Sequence, residues 1–160
     1  MKTLSFKDQN ALFIGGRFGW VIDKNYVVGA GYYTLANTLD IKNPAIPGEG
    51  FSNLNYGGLE FEYYYFNSAP YHLSVSMLLG GGGVTVLVPF DNTGRKNTMT
   101  LNLLVYEPRI CFEYSPLNWL NISTGVSYRV VTNLSGIYGV ENKDLTGVTG
   151  SLSFRFGDYR

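Results

Sequence analysis

Three constellations in the 160-residue chain carry side chains with chemical potential. His72, Leu73 and Ser74 set an imidazole and a hydroxyl two residues apart, which on a β-strand puts both on one face. Glu60 or Glu62, in the preceding strand-like run, could orient that imidazole in a Ser-His-Glu arrangement, the kind that activates a serine nucleophile. Glu60/Glu62 and Glu107/Glu113 are also paired carboxylates, the residue types of a glycosidase. Four arginines, Arg17, Arg109, Arg129 and Arg155, match those four glutamates in number. An Arg fork fits a carboxylate closely, so ion pairing is the better-founded reading of the carboxylates.

Other chemistries find less. The glycines of 80–83 lack the Lys-Ser/Thr of a phosphate loop, and Gly29-Ala30-Gly31 lacks the third glycine and following helix of a dinucleotide fingerprint. Cys111 is the single cysteine, so neither an internal disulfide nor a structural zinc site is expected, and no cofactor is implied. Twelve basic and 12 acidic side chains balance, which argues against nucleic acid as a partner.

The elements that must position these residues read as β-strands. Thr100–Tyr114 and Trp119–Val131 form a long hairpin around 115–118. Leu104, Tyr106, Ile110, Phe112 and Tyr114 alternate with Glu107, Arg109, Cys111 and Glu113; Ile122, Val126, Tyr128 and Val130 alternate with Ser123, Ser127 and Arg129. Ala11–Ile22, Tyr26–Ala36, Tyr56–Phe66, His72–Val88 and Leu145–Gly157 are the other full strands. Leu59, Phe61, Tyr63 and Tyr65 oppose Glu60, Glu62 and Tyr64; Leu73, Val75, Met77 and Leu79 oppose His72, Ser74 and Ser76. The glycines of 80–83 suggest a bulge or close packing, and Pro108, lacking an N–H, predicts a bend or bulge. Asp8-Gln9-Asn10 reads as a turn after an ambiguous stub at 1–8.

Connections alternate short (23–25, 67–70, 115–118) and long (37–55, 89–98, 132–144). An up-and-down antiparallel sheet then collects the short turns at one end and the long loops at the other, as outer-membrane barrels do. Three features favour lipid outside over a core inside. Lys2, Lys7, Lys24, Lys42, Lys96 and Lys143 fall in turns, loops or the terminus, leaving Arg and Glu on the polar strand faces. Aromatics make up 16% of the chain, against 15% charged residues, and Trp20, Tyr26, Phe66, Tyr71, Tyr114, Trp119 and Phe156 lie near strand ends, as girdles at both membrane interfaces would. Several of the strand-like runs match or exceed the roughly 9–11 residues that a tilted membrane strand needs.

Gly15-Gly16-Arg17-Phe18-Gly19-Trp20-Val21-Ile22 and Tyr56-Gly57-Gly58-Leu59-Glu60 resemble segments of small outer-membrane barrels of Bacteroidetes-type bacteria. So do Glu107-Pro108 with Glu113, Gly125-Val126-Ser127-Tyr128-Arg129 and Phe154-Arg155-Phe156-Gly157. The resemblance spans most of 11–157 and implies an exported eight-stranded barrel without a reaction to transfer. His72-Leu73-Ser74 is similar to the His-x-Ser element of outer-membrane lipid A deacylases, although there the site must reach lipid.

The expectation is therefore a single all-β domain over 1–160: a transmembrane up-and-down barrel of about eight strands, seven full and one N-terminal stub. Its interior is expected to be filled by Arg17, Glu60, Glu62, Glu107, Arg109, Glu113, Arg129 and Arg155 rather than open as a pore. MKTLSFKDQN has no apolar h-region, so a signal peptide and the rest of the first strand are expected upstream of Met1 or already removed. The expected role is that of a non-enzymatic outer-membrane component, in contact with lipid and with a larger complex, loop 37–55 with Phe51 being its contact surface. The competing readings are a soluble lipocalin-like barrel binding an apolar ligand, and a membrane hydrolase built on His72 and Ser74.

Overall fold

Period-two alternation with β-branched and aromatic residues makes nearly the whole chain extended. The computed structural model describes the chain apart from residues 7–8, 24, 38, 40–49, 69, 89–96, 135–140 and 158–160. Its strands are β1 (Lys2–Phe6), β2 (Gln9–Ile22), β3 (Tyr26–Leu35), β4 (Gly50–Ser68), β5 (Tyr71–Val88), β6 (Asn97–Leu117), β7 (Leu120–Thr132) and β8 (Gly147–Phe156). One helical turn, α1 (Asn142–Leu145), precedes β8. Every strand pairs antiparallel with its sequence neighbour, and β1 pairs with β8 to close an eight-stranded barrel. The stub is thus the eighth strand.

Several local expectations need correcting. Gln9 and Asn10 are not a turn: they pair with Phe6 and Ser5 in the β1–β2 ladder, and Asp8 lies outside the described residues. The strand expected over Tyr56–Phe66 begins at Gly50, which shortens the loop expected over 37–55; Phe51 lies in β4, its side chain outside those described. Leu145 ends α1 rather than starting the last strand.

Pro108 makes no bulge. It sits opposite Met77 in unbroken register with β5, and the β6–β7 ladder skips only Glu107 and Pro108 before resuming in the same register. The lost N–H interrupts pairing toward β7 without adding a residue. Register shifts fall instead at Phe51/Asn53, Tyr64/Phe66 and Tyr114/Leu117, near strand ends.

The glycines of 80–83 are also in register on both sides, so close approach is the correct alternative there. A Cβ on Gly58 would lie 2.2 Å from the Leu79 carbonyl oxygen, and one on Gly80 would lie 2.0 Å from that of Gly57. These two strands can bend tightly around the barrel only because both positions lack side chains.

Two kinds of interior meet inside the wall. Toward the long-loop end, Leu4, Phe13, Leu54, Val84, Leu103 and Val131 pack as an apolar plug, with Leu39, Leu134 and Leu145 over it. α1 is held there by the Leu134 N–H donating to Asn142 Oδ1 (2.9 Å) and the Val131 N–H donating to Thr146 Oγ1 (3.0 Å). Toward the short turns the interior is polar. The outer face is apolar through the middle and the short-turn end, with Trp20 69% and Phe156 73% exposed, and turns polar toward the long loops, where Ser5, Asn10, Asn53, Thr100 and Asn102 are exposed.

Candidate functional site

All eight expected network residues face inward. The strand period sends Glu60 and Glu62 from β4, Glu107, Arg109 and Glu113 from β6, Arg17 from β2, Arg129 from β7 and Arg155 from β8 to the barrel axis. Their ion pairs fall into two clusters, which Tyr33 joins through its hydroxyl on Glu60 and its ring beneath Lys2.

The first centres on Glu107, 2% exposed, at the border of the apolar plug. One carboxylate oxygen accepts from Lys2 Nζ (2.7 Å) and Ser127 Oγ (2.8 Å); the other accepts from Arg129 Nε (3.2 Å) and the Tyr56 hydroxyl (3.2 Å). Arg129 Nη2 also donates to the Tyr56 hydroxyl. Lys2 Nζ lies 3.7 Å above the Tyr33 ring, and the Arg129 guanidinium lies 4.5 Å from the Phe13 ring centre and 4.4 Å from that of Tyr56. Two cations thus share one carboxylate, and aromatic faces supply the remaining negative potential.

The second cluster spans the polar half. Glu60 accepts from Arg17 Nη1 (3.0 Å), Arg109 Nη2 (3.3 Å) and the Tyr33 hydroxyl (2.8 Å). Glu62 accepts from Arg17 Nη2 (3.4 Å) and Arg155 Nη2 (2.9 Å). Glu113, fully buried, pairs with Arg155 Nη1 at 2.9 Å. Ser74 Oγ lies 2.8 Å from Glu62 and 2.7 Å from Glu113. A hydroxyl has one proton to give, so the second of these contacts requires a proton on a carboxyl group.

This geometry does not build the Ser-His-Glu arrangement. Ser74 is engaged by two carboxylates, and Glu60 and Glu62 are held by arginines. His72 is buried with its ring edge-on to Tyr64, 6.1 Å between centres. The paired carboxylates are ion-paired, as their matching arginines implied. Among the described residues, no three His, Cys, Asp or Glu side chains converge to hold a metal ion. Nothing in the arrangement indicates enzymatic activity.

No protein-family model, curated protein or solved structure matches the chain.

Lys2, Tyr33, Tyr56, Phe13 and Ser127 were missed as members of the first cluster. Lys2 was grouped with the lysines of turns, loops and the terminus, but it lies in β1, 2% exposed and ion-paired. Its signal was its parity with Leu4, which faces inward with it. The two tyrosines were masked because they look like outer-face aromatics, yet Tyr33 sits opposite Gly15 and Tyr56 opposite Gly82. The missing side chains leave room for the rings, which stack 5.2 Å apart.

The named girdle aromatics also resolve differently. Trp20, Tyr26, Tyr71, Tyr114, Trp119 and Phe156 are all exposed at the short-turn end, with Tyr71 stacked on Tyr114 and Trp119 on Phe156. They form one belt rather than two, and the Phe66 side chain lies outside those described. A cavity of about 640 Å³ opens beside this belt, between β2 and β8, and reaches Arg17, Glu60, Glu62 and Arg155.

Proposed function

We propose that the chain is a non-enzymatic outer-membrane β-barrel, crossing the bilayer with its strands and acting as a structural or accessory component that meets lipid outside and a larger membrane complex through its loops. The observation that carries this is the inverted polarity of the wall. Ile14, Phe18, Leu59, Ile110, Val126 and Phe154 are each more than half exposed, whereas Glu107, Glu113 and Arg129 are almost wholly buried. In water the reverse would be favoured, at roughly 1.5–3 kcal/mol for each large apolar side chain covered. Hydrocarbon removes that penalty, and the closed ladder satisfies the backbone groups facing it except between β2 and β8 beyond Met1.

The strand lengths support the same reading: β7, at 13 residues, exceeds the roughly 9–11 needed to cross at a tilt. The short-turn belt of Trp and Tyr suits a membrane interface. The resemblance to small Bacteroidetes-type outer-membrane barrels agrees with it. A filled interior favours a wall over a pore. A soluble barrel around an apolar ligand has less support, because the apolar part of the interior is occupied by the chain's own leucines, valines and Phe13.

Detergent dependence tests the reading. The expected protein is folded and monomeric only in detergent or bilayers, and migrates faster in gels before heating than after. A monomer stable in detergent-free buffer would overturn it. Ile110→Arg sharpens the test: an outward charge near the bilayer midplane costs about 2–4 kcal/mol, whereas on a water-facing surface the change stays within about 0.5 kcal/mol. Urea titration in vesicles separates these outcomes.

A further inference from the structure

The wall is one strand short over its short-turn half. β1 pairs with β2 only as far as Lys2↔Phe13, and with β8 as far as Lys2↔Ser151. Met1 extends the seam by one step: its nitrogen donates to the Leu152 oxygen (2.9 Å), and the Leu152 N–H donates back (3.0 Å). Beyond that, β2 runs on to Ile22 and β8 to Phe156, and among the described residues neither has a partner on the facing side. The cavity of about 640 Å³ fills this gap.

Two parallel rows of unpaired N–H and C=O groups, starting one strand's width apart where β1 lies between them, are a template for an extended peptide. In water they would be solvated, but in hydrocarbon each unsatisfied group costs several kcal/mol. A second observation comes from a side chain. Arg155, 9% exposed, uses its Nη atoms on Glu62 and Glu113, while its buried Nε has no acceptor among the described residues.

We infer that the slot between β2 and β8 is a strand-acceptor site, taking an extended segment continuous with β1 through Met1, apolar where it faces out and bearing a side-chain oxygen opposite Arg17 and Arg155. The register of β1 sets this chemistry. Counting back from Met1, the first added position faces Gly15 and Ser153, the second Gly16 and Phe154, the third Arg17 and Arg155, and the fourth Phe18 and Phe156. The first and third point inward, as Lys2 does; the second and fourth point outward among Phe18, Phe154 and Phe156. At the first position the Tyr33 ring already covers Gly15, which calls for a small side chain there, and an oxygen at the third position faces the side of Arg155. Continuity with β1 follows from Met1, whose nitrogen already occupies a ladder position, so a chain running on from it enters without a turn and at high effective concentration. The energetic force of the inference rests on the membrane reading, although the edges and their register do not.

The test places Phe-Asp-Val-Ser ahead of Met1 on the full chain, with Asp-Phe-Ser-Val as the parity-swapped control and the unextended chain beside both. Amide hydrogen exchange of Gly15–Phe18 and Ser153–Phe156 is read in micelles and, where the chain stays monomeric, without detergent. The in-register extension is expected to slow the slot-facing amides by about tenfold or more, and the swapped one to leave them fast. Equal exchange in all three chains, or equal protection by the swapped segment, overturns the site. Equal protection by the same tetrapeptide added free at equimolar concentration overturns the continuity. A soluble monomer that still shows the in-register protection sinks the membrane reading and leaves the acceptor site standing.

Discussion

At the loop end of the barrel Phe13, Leu54, Val84 and Leu103 meet beneath Leu39, Leu134 and Leu145; at the short-turn end Glu60, Glu62 and Glu113 meet Arg17, Arg109 and Arg155. The apolar half gains from burial wherever its side chains land, so it tolerates small displacements. The polar half does not. Arg17 must reach two carboxylates on β4, and Arg155 one on β4 and one on β6. A slip of one residue in any of those strands would turn its charges outward. The difference teaches a division of labour: the plug supplies burial, and the charge clusters hold register. That second role is a hypothesis, since a buried ion pair is weak evidence of net stability by itself.

The sharpest way to break this comparison is at the border, with Glu107→Ala. The change leaves Lys2 and Arg129 buried without their shared carboxylate. The loss is expected at or above the upper end of about 3–5 kcal/mol, read as a shifted urea midpoint. A loss below about 1 kcal/mol would mean that the aromatic faces of Tyr33, Tyr56 and Phe13 hold the cations alone.

Phe13→Ala comes next, at about 3–4 kcal/mol within the range for a buried aromatic. It opens a cavity in the plug and removes the ring beside the Arg129 guanidinium. If plug and charges are separable, exchange of the β4–β5 amides near Glu62 stays unchanged while those near Leu54 speed up.

The smallest effect is expected at Glu113→Gln, within about 1 kcal/mol. The amide nitrogen can take the Oε1 position and supply the proton that one of the Ser74 contacts requires, and the oxygen at the Oε2 position, 3.1 Å from Arg155 Nη1, can still accept from it. Glu113→Gln matching Glu107→Ala in cost would show that both carboxylates serve only as full charges.

Faces were legible from sequence where one side of a strand is charged. Glu60 and Glu62 against Leu59 and Phe61, or Arg109 and Glu113 against Ile110 and Phe112, leave one sensible orientation. The plug was not legible, because Leu103, Leu104 and Val105 are apolar on both faces and alternation cannot say which is inside. Lys2 was hidden by scale: its partner Glu107 is 105 residues away, and only closure of β1 against β8 brings them together. Lysine position was therefore a misleading guide for this residue.

The β1–β8 seam has a kinetic side. Seven of the eight strand pairings join neighbours in sequence, whereas this one links the two ends of the chain. Hairpins can zip in succession at low loop-closure cost, but the seam must wait until the sheet has curled round. Closure is the expected last step of assembly, with Lys2 as its latch: the amine leaves water only when β1 docks beside β8 and reaches Glu107. In a pulse-labelled refolding run the amides of Lys2–Leu4 should be the last to gain protection, and their early protection would mean that the ring forms before its staves.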